Sequence, residues 1–234
     1  MNMFEQLIRF RNRVKLRAKI LAGYRKRRFY NNSRIFHDHK CVFIHIPKTA
    51  GNSITRALSS LPETGTALSP RISKHAKAWE VKALLGKEIW NDYFTFSFVR
   101  NPWDLMVSSY HWWQQKAAKY PYHKRKARKV RAMDNFDRFI RSRFGSYMIN
   151  ERYGCEFDWI AENGSVIVDY VGKVETIERD WQRICERLGI ESIPLPFINR
   201  SKRKDYREYY TPETQRMIEQ RFRKTIDQFG YTFD

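Results

Sequence analysis

The succession of apolar strands and helical segments along this chain predicts an α/β fold, a three-layer sandwich around a central parallel sheet with a P-loop-like strand-loop-helix. Short apolar runs recur at 41–46, 93–99 and 166–171, and helical segments follow them at 52–60, 103–115 and 176–188. A repeated strand-then-helix order requires crossover connections, which make the strands parallel and cover both faces of the sheet. The chain has 234 residues, enough for one sizeable domain and too few for two. Its 42% hydrophobic and 15% aromatic content supply a core, so the mean hydropathy of -0.70 reflects surface charge and not disorder.

Residues 1–40 read as a basic N-terminal extension. They hold twelve Lys or Arg against two acidic residues, half of the net charge of +20. Within them, residues 4–21 place Phe4, Leu7, Phe10, Val14, Ala18 and Leu21 on one helical arc. A competing alternation of cations from Arg9 to Lys19 would crowd like charges on one strand face, so helix is preferred. Such a field attracts nucleic acid, anionic lipid and acidic polysaccharide alike and does not choose among them. No run approaches the roughly 18 apolar residues of a membrane span, and the N-terminus lacks the apolar centre of a secretory signal. The chain is therefore expected in the cytoplasm, with the basic segment able to touch an anionic membrane.

The main domain is expected over 41–234. Cys41–Ile46 is a buried-type strand, and so is Tyr93–Val99. A helix over 79–85 lies between them. Residues 116–131 form a basic, aromatic insertion expected to be exposed. A closing helix runs from Pro212 to Phe229, with Thr211 and Pro212 as its start signals and Gly230 as its stop. The three cysteines, Cys41, Cys155 and Cys185, are widely spaced with no CxxC pair, which suggests buried free thiols and no disulfide framework; no metal is expected.

Two segments at strand ends carry chemistry. The first, Ile46 to Ile54, contains Lys48, Thr49, Gly51 and Ser53 directly between a strand and a helix. Free N–H groups at a helix N-terminus bind phosphate, a glycine permits a tight turn, and the lysine and hydroxyls add charge and donors. The Gly-x-x-x-x-Gly-Lys-Ser/Thr spacing is missing because Lys48 precedes Gly51, which weakens a Mg-dependent nucleotide kinase as a reading. The second, Ser97 to Ser108, places Arg100 at the sheet edge, with Asn101 as cap and Pro102 in the first helical turn. Arg100 and Ser108 suit a further anion, although Arg100 also stands at ion-pair spacing from Asp104. Two anion sites at neighbouring strand ends fit a ligand with phosphates at both the 5' and 3' positions.

These segments resemble the paired motifs that bind 3'-phosphoadenosine 5'-phosphosulfate (PAPS) in sulfotransferases, in particular the carbohydrate sulfotransferase branch. Phe43 to Ser53 is similar to the 5'-phosphosulfate loop, and Phe98 to Asp104 with Ser108 to the 3'-phosphate segment. The likeness continues through Asp169–Glu175 and Phe229–Tyr231. It implies a sulfotransferase acting on a hydroxyl, most simply of a carbohydrate, whether anionic or neutral, with no metal and no specific nucleic acid partner. It implies that Lys48, Thr49, Ala50, Gly51, Asn52 and Ser53 hold the 5' end of PAPS. Arg100 and Ser108 then hold the 3' end, with Lys202 and Arg203 folding over the nucleotide from a late basic loop. Lys48 doubles as a catalytic residue that stabilises charge on the leaving oxygen. His75 resembles the histidine of a Lys-His-Ala segment that serves as base in related enzymes, whereas a lone loop histidine is otherwise just solvated. Trp112, Trp113, Tyr120 and Tyr122 suit a sugar-stacking wall or a core-packed helix face. The alternative class is a non-enzymatic polyanion-binding protein, which accounts for residues 1–40 and leaves both strand-end motifs unexplained.

Overall fold

The computed structural model describes residues 34–62, 73–115, 120, 123–145, 155–196 and 203–234. The expected N-terminal helix at 4–21, Tyr122 and Lys202 lie outside these residues.

The first strand, β1 (Ile35–Phe36), pairs antiparallel with β2 (Cys41–Ile44), so the sheet begins ahead of Cys41. The chain continues through α1 (Gly51–Leu58), α2 (Ala78–Leu85) and α3 (Lys87–Asp92) into β3 (Phe94–Val99), then α4 (Pro102–Gln115). Next come α5 (Lys124–Arg131), α6 (Phe136–Arg141), α7 (Phe157–Ile160) and a hairpin of β4 (Ala161–Glu162) and β5 (Ser165–Val166). The last strand, β6 (Tyr170–Lys173), leads to α8 (Ile177–Leu188), α9 (Pro212–Arg221) and α10 (Arg223–Phe229). The main sheet has the order β1-β2-β3-β6, and β2, β3 and β6 are parallel.

Alternation along β2 sorts its side chains between two cores, as the period of two requires. Cys41 and Phe43 join Ile54, Leu58, Trp181 and Ile184 on the α1 and α8 side. Val42 and Ile44 join the larger cluster under α2, α4 and α6. The expected three layers are present, with the sheet between two apolar cores. All three cysteines are buried free thiols.

Three expectations need correction. The run 166–171 is not one strand: Val166 ends the β4–β5 hairpin, and only Tyr170 onward enters the main sheet. Asn163 and Gly164 turn that hairpin with φ of 55° and 85°, the pairing that a two-residue hairpin favours. Asp169 then stops the chain against β3 by accepting from the Thr95 N–H and hydroxyl, both at 2.7 Å. The closing helix is two helices, broken at Phe222, whose ring is buried in the core. The insertion at 116–131 contains α5, which buries Ala127 and Val130 and leaves its cations exposed.

Candidate active site

The loop between β2 and α1 is shaped by two residues in the left-handed region, Lys48 at φ 71° and Ala50 at φ 59°. Neither is glycine, so the loop stores backbone strain of about 1–3 kcal/mol per residue. Thr49, between them, is fully buried, and its hydroxyl donates to the Ile46 carbonyl at 2.9 Å. The expected phosphate contact of the Thr49 side chain is therefore corrected: the hydroxyl closes the loop from behind. The glycine is also used differently from the expectation. Gly51 opens α1 without a positive φ, and a Cβ there would collide with the His45 ring. It serves close approach, not turn conformation. No acidic residue occupies the first turn of α1, so its N–H groups keep their positive field.

One cleft of about 1350 Å³ collects Lys48, Ala50, Gly51, Asn52 and Ser53 with His75, Arg100, Ser108 and Arg203. These come from distant parts of the chain, and parallel strand ends bring them together, as open α/β sheets do. Lys48 Nζ lies 5.8 Å from the Trp112 ring centroid. Trp112 stacks with Tyr120 at 6.2 Å and meets the edge of His123 at 5.2 Å, making an aromatic wall on the cleft. Trp113 beside it also lines the cleft but is buried in the core.

The His75 Nδ1 lies 2.9 Å from the His45 carbonyl oxygen. A carbonyl only accepts, so Nδ1 carries the proton and Nε2 is the basic nitrogen. Burial pushes the His75 pKa down to about 4, against the opposing effect of the His45 carbonyl and with help from Lys74 and Arg34. The ring is thus neutral near pH 7. The His45 ring packs edge-on at 4.6 Å, and burial followed by the charge of His75 holds it well below the ordinary imidazole range.

On the other side of the cleft, Arg100 is tied down at every nitrogen. Nε and Nη2 donate to Asp104 Oδ2 at 2.7 and 2.6 Å, and Nη1 donates to the Lys48 carbonyl at 3.1 Å. Arg203 bonds the other oxygen of Asp104. The backbone beneath is held by two acids: Glu156 accepts from the Arg100 N–H at 2.8 Å and Glu175 from the Asn101 N–H at 2.7 Å. Asn101 caps α4, accepting from the Trp103 and Asp104 N–H groups. The two further matching segments also meet, because Lys173 donates to the Phe229 carbonyl at 2.7 Å and Tyr231 to Glu175 at 3.1 Å.

Sequence reasoning missed Lys74, which donates to Asn52 Oδ1 at 2.7 Å and adds a cation beside the loop. It also missed Glu156 and the Ile193–Pro196 wall, which carry no local signal. Lysine and arginine groups line both sides of one cleft at the parallel strand ends of an α/β fold, around a helix N-terminus and a neutral histidine.

Residues 31–232 match the family model described as Sulfotransferase family, and the chain belongs to that family. The crystal structure of mouse sulfotransferase SULT7A1 complexed with PAP has the same fold. It aligns with a TM-score of 0.52 at 14% identity, covering 86% of this chain and 92% of that one. An uncharacterized protein of Archaeoglobus fulgidus is 27% identical over 131 residues, which is 56% of this chain and 97% of that relative. The protein is a sulfotransferase-family enzyme with a mostly parallel central sheet.

Proposed function

We propose that this enzyme transfers a sulfuryl group from PAPS to a hydroxyl of a carbohydrate, with Lys48 and His75 as catalytic residues. The observation that carries the reading is the His75 Nδ1 contact with the His45 carbonyl, which sets a basic Nε2 in the same cleft as Lys48. Residues suited to each end of the donor are present. Lys48, Ala50, Gly51, Asn52 and Ser53 surround the N-terminus of α1, where a 5'-phosphosulfate fits. Arg100, Ser108 and Arg203 suit a 3'-phosphate, and the neighbour in the same fold, mouse SULT7A1, is complexed with PAP.

In the reaction, the acceptor hydroxyl gives its proton to His75 Nε2 as its oxygen bonds to sulfur. The electron pair of the broken sulfur–oxygen bond leaves on the 5'-phosphate. Lys48 and the α1 N–H groups stabilise that added charge. The wall of Trp112 and Tyr120 supplies the flat apolar faces on which a sugar ring stacks. The exposed cations of α5 favour an acceptor that carries its own negative charge. Residues 1–40 are assigned peripheral contact with anionic membrane on the cytoplasmic side, outside catalysis.

Transfer of labelled sulfate from PAPS to a panel of glycans, lipids and phenols tests this. Labelling of glycans is expected. Labelling of phenols alone would remove the carbohydrate assignment, and failure to bind 3',5'-adenosine bisphosphate in preference to ATP would remove the donor.

A further inference from the structure

A carboxylate sits in the middle of the anion-binding end of the cleft. Asp104, in the first turn of α4, lines the cleft with Arg100, Ser108 and Arg203. Its Oδ2 receives Nε and Nη2 of Arg100, and its Oδ1 receives Nη2 of Arg203. The three side chains are similarly enclosed, at 16% exposed for Arg100, 18% for Asp104 and 14% for Arg203. Arg100 ends β3 and Arg203 comes from near the C-terminal helices, so no shared element sets the distance between them.

Simple charge counting makes Asp104 a defect in an anion site. Two guanidiniums and one carboxylate leave a single net positive charge, and a carboxylate repels an incoming phosphate. The geometry argues the other way. Two unpaired guanidiniums repel each other, and each carries long, rotatable side-chain freedom that a ligand must freeze on binding. The shared carboxylate holds both forks on one side of the cleft before the ligand arrives. Arg203 Nη1 also donates to the Asp104 carbonyl at 3.5 Å, and each guanidinium carries five N–H groups, more than the shared carboxylate takes up.

We propose that Asp104 is a positioning residue of this site: it holds Arg100 and Arg203 side by side as one receptor for a terminal phosphate, so that removing its negative charge weakens anion binding. This rests on the sulfotransferase reading for the identity of the ligand, a nucleoside bisphosphate, and not for the arrangement of the three side chains. In that reading Asp104 gives the enzyme its preference for a nucleotide bearing a 3'-phosphate over one without it.

The test compares the full-length protein with Asp104→Asn and Asp104→Glu by calorimetry, using 3',5'-adenosine bisphosphate, 5'-AMP and inorganic pyrophosphate. Asp104→Asn is expected to weaken bisphosphate binding about tenfold to a hundredfold, as loss of charge-assisted contacts does. Affinity for 5'-AMP should stay within about threefold, so the ratio of the two collapses; loosening of the whole domain would weaken both together. Asp104→Glu keeps the charge and should recover part of the loss. In turnover, the KM for PAPS should rise while kcat stays close to that of the parent protein. Equal or tighter bisphosphate binding by Asp104→Asn overturns the proposal, as does parallel loss of both nucleotides. A parent protein that binds pyrophosphate but does not prefer the bisphosphate over 5'-AMP would overturn the donor assignment instead. The pyrophosphate arm then decides on Asp104: weaker binding by Asp104→Asn supports it, and unchanged binding ends it.

Discussion

The imidazole of His45 fills the space that a side chain at residue 51 would need. His45 ends the strand side of the loop and Gly51 opens α1, so this contact sets how closely the helix N-terminus approaches the strand end. Gly51→Ala should force the ring or the helix to move and cost about 1–3 kcal/mol, as overpacking does. Nucleotide affinity should fall with it. In a His45→Ala background the same glycine change should cost much less, because the obstacle is gone, and the two effects should be strongly non-additive. Urea unfolding of the four proteins reads this directly. Additive losses would show that the contact does not decide the choice of glycine.

His75 is expected to act on the acceptor and not on the donor. Replacing it with Ala should lower turnover by about 10²–10⁴-fold while leaving 3',5'-adenosine bisphosphate affinity near that of the parent protein. The base must be neutral to accept a proton, and its pKa is depressed to about 4. The acid limb of kcat/KM should therefore fall near pH 4, with activity retained down through the ordinary imidazole range. A limb at pH 6–7, or near-full turnover by His75→Ala where chemistry limits the rate, would move the base elsewhere.

Lys48 and Arg100 occupy opposite ends of the donor in the proposed complex. Each replaced by Ala should weaken bisphosphate binding by roughly 1.5–3 kcal/mol, the scale of one charge-assisted contact. Arg100→Ala should also loosen the loop, since it removes the bond to the Lys48 carbonyl. Calorimetry checks both, and unchanged affinity in two folded variants would remove the donor site from this cleft.

Glu156 is 2% exposed, its Oε2 has no hydrogen-bond partner among the described residues, and burial raises its pKa well above the ordinary carboxyl value. Its folded-state pKa is thus higher than its unfolded one. The stability linked to it is fully present below the unfolded pKa and is lost as pH rises through the folded pKa. Gln cannot titrate. Relative to Glu156→Gln, the parent protein should lose up to about 1.4 kcal/mol per pH unit above the ordinary carboxyl range. Unfolding midpoints of both proteins at pH 5 and pH 8 give the comparison, and a constant difference would mean that Glu156 is ionised at both.

Much of the site was legible in sequence because its parts are local. The turn from β2 into α1 and the Asn101-Pro102 start of α4 are made by neighbouring residues, and each announces itself by apolar runs, caps and cations. The strand at 166–171 was misplaced because Val166, Ile167 and Val168 satisfy a strand pattern whichever sheet receives them. The bonds between Thr95 and Asp169, followed by the pairing of Tyr170–Lys173 with β3, mark where the main sheet resumes.

The sequence by itself determined the class of fold, the two strand-to-helix turns that carry Lys48 and Arg100, and the glycine that opens α1, since these follow from periodicity and from chemistry within a few residues. Tertiary structure alone decided what those groups do for one another. It placed the His45 carbonyl on His75 so that Nδ1 carries the proton, and brought Arg203 to Asp104 from the far end of the chain. Hydrogen bonds between groups tens of residues apart depend on how strands order and helices pack. That order is set by the burial of two whole apolar faces and not by any short stretch of residues.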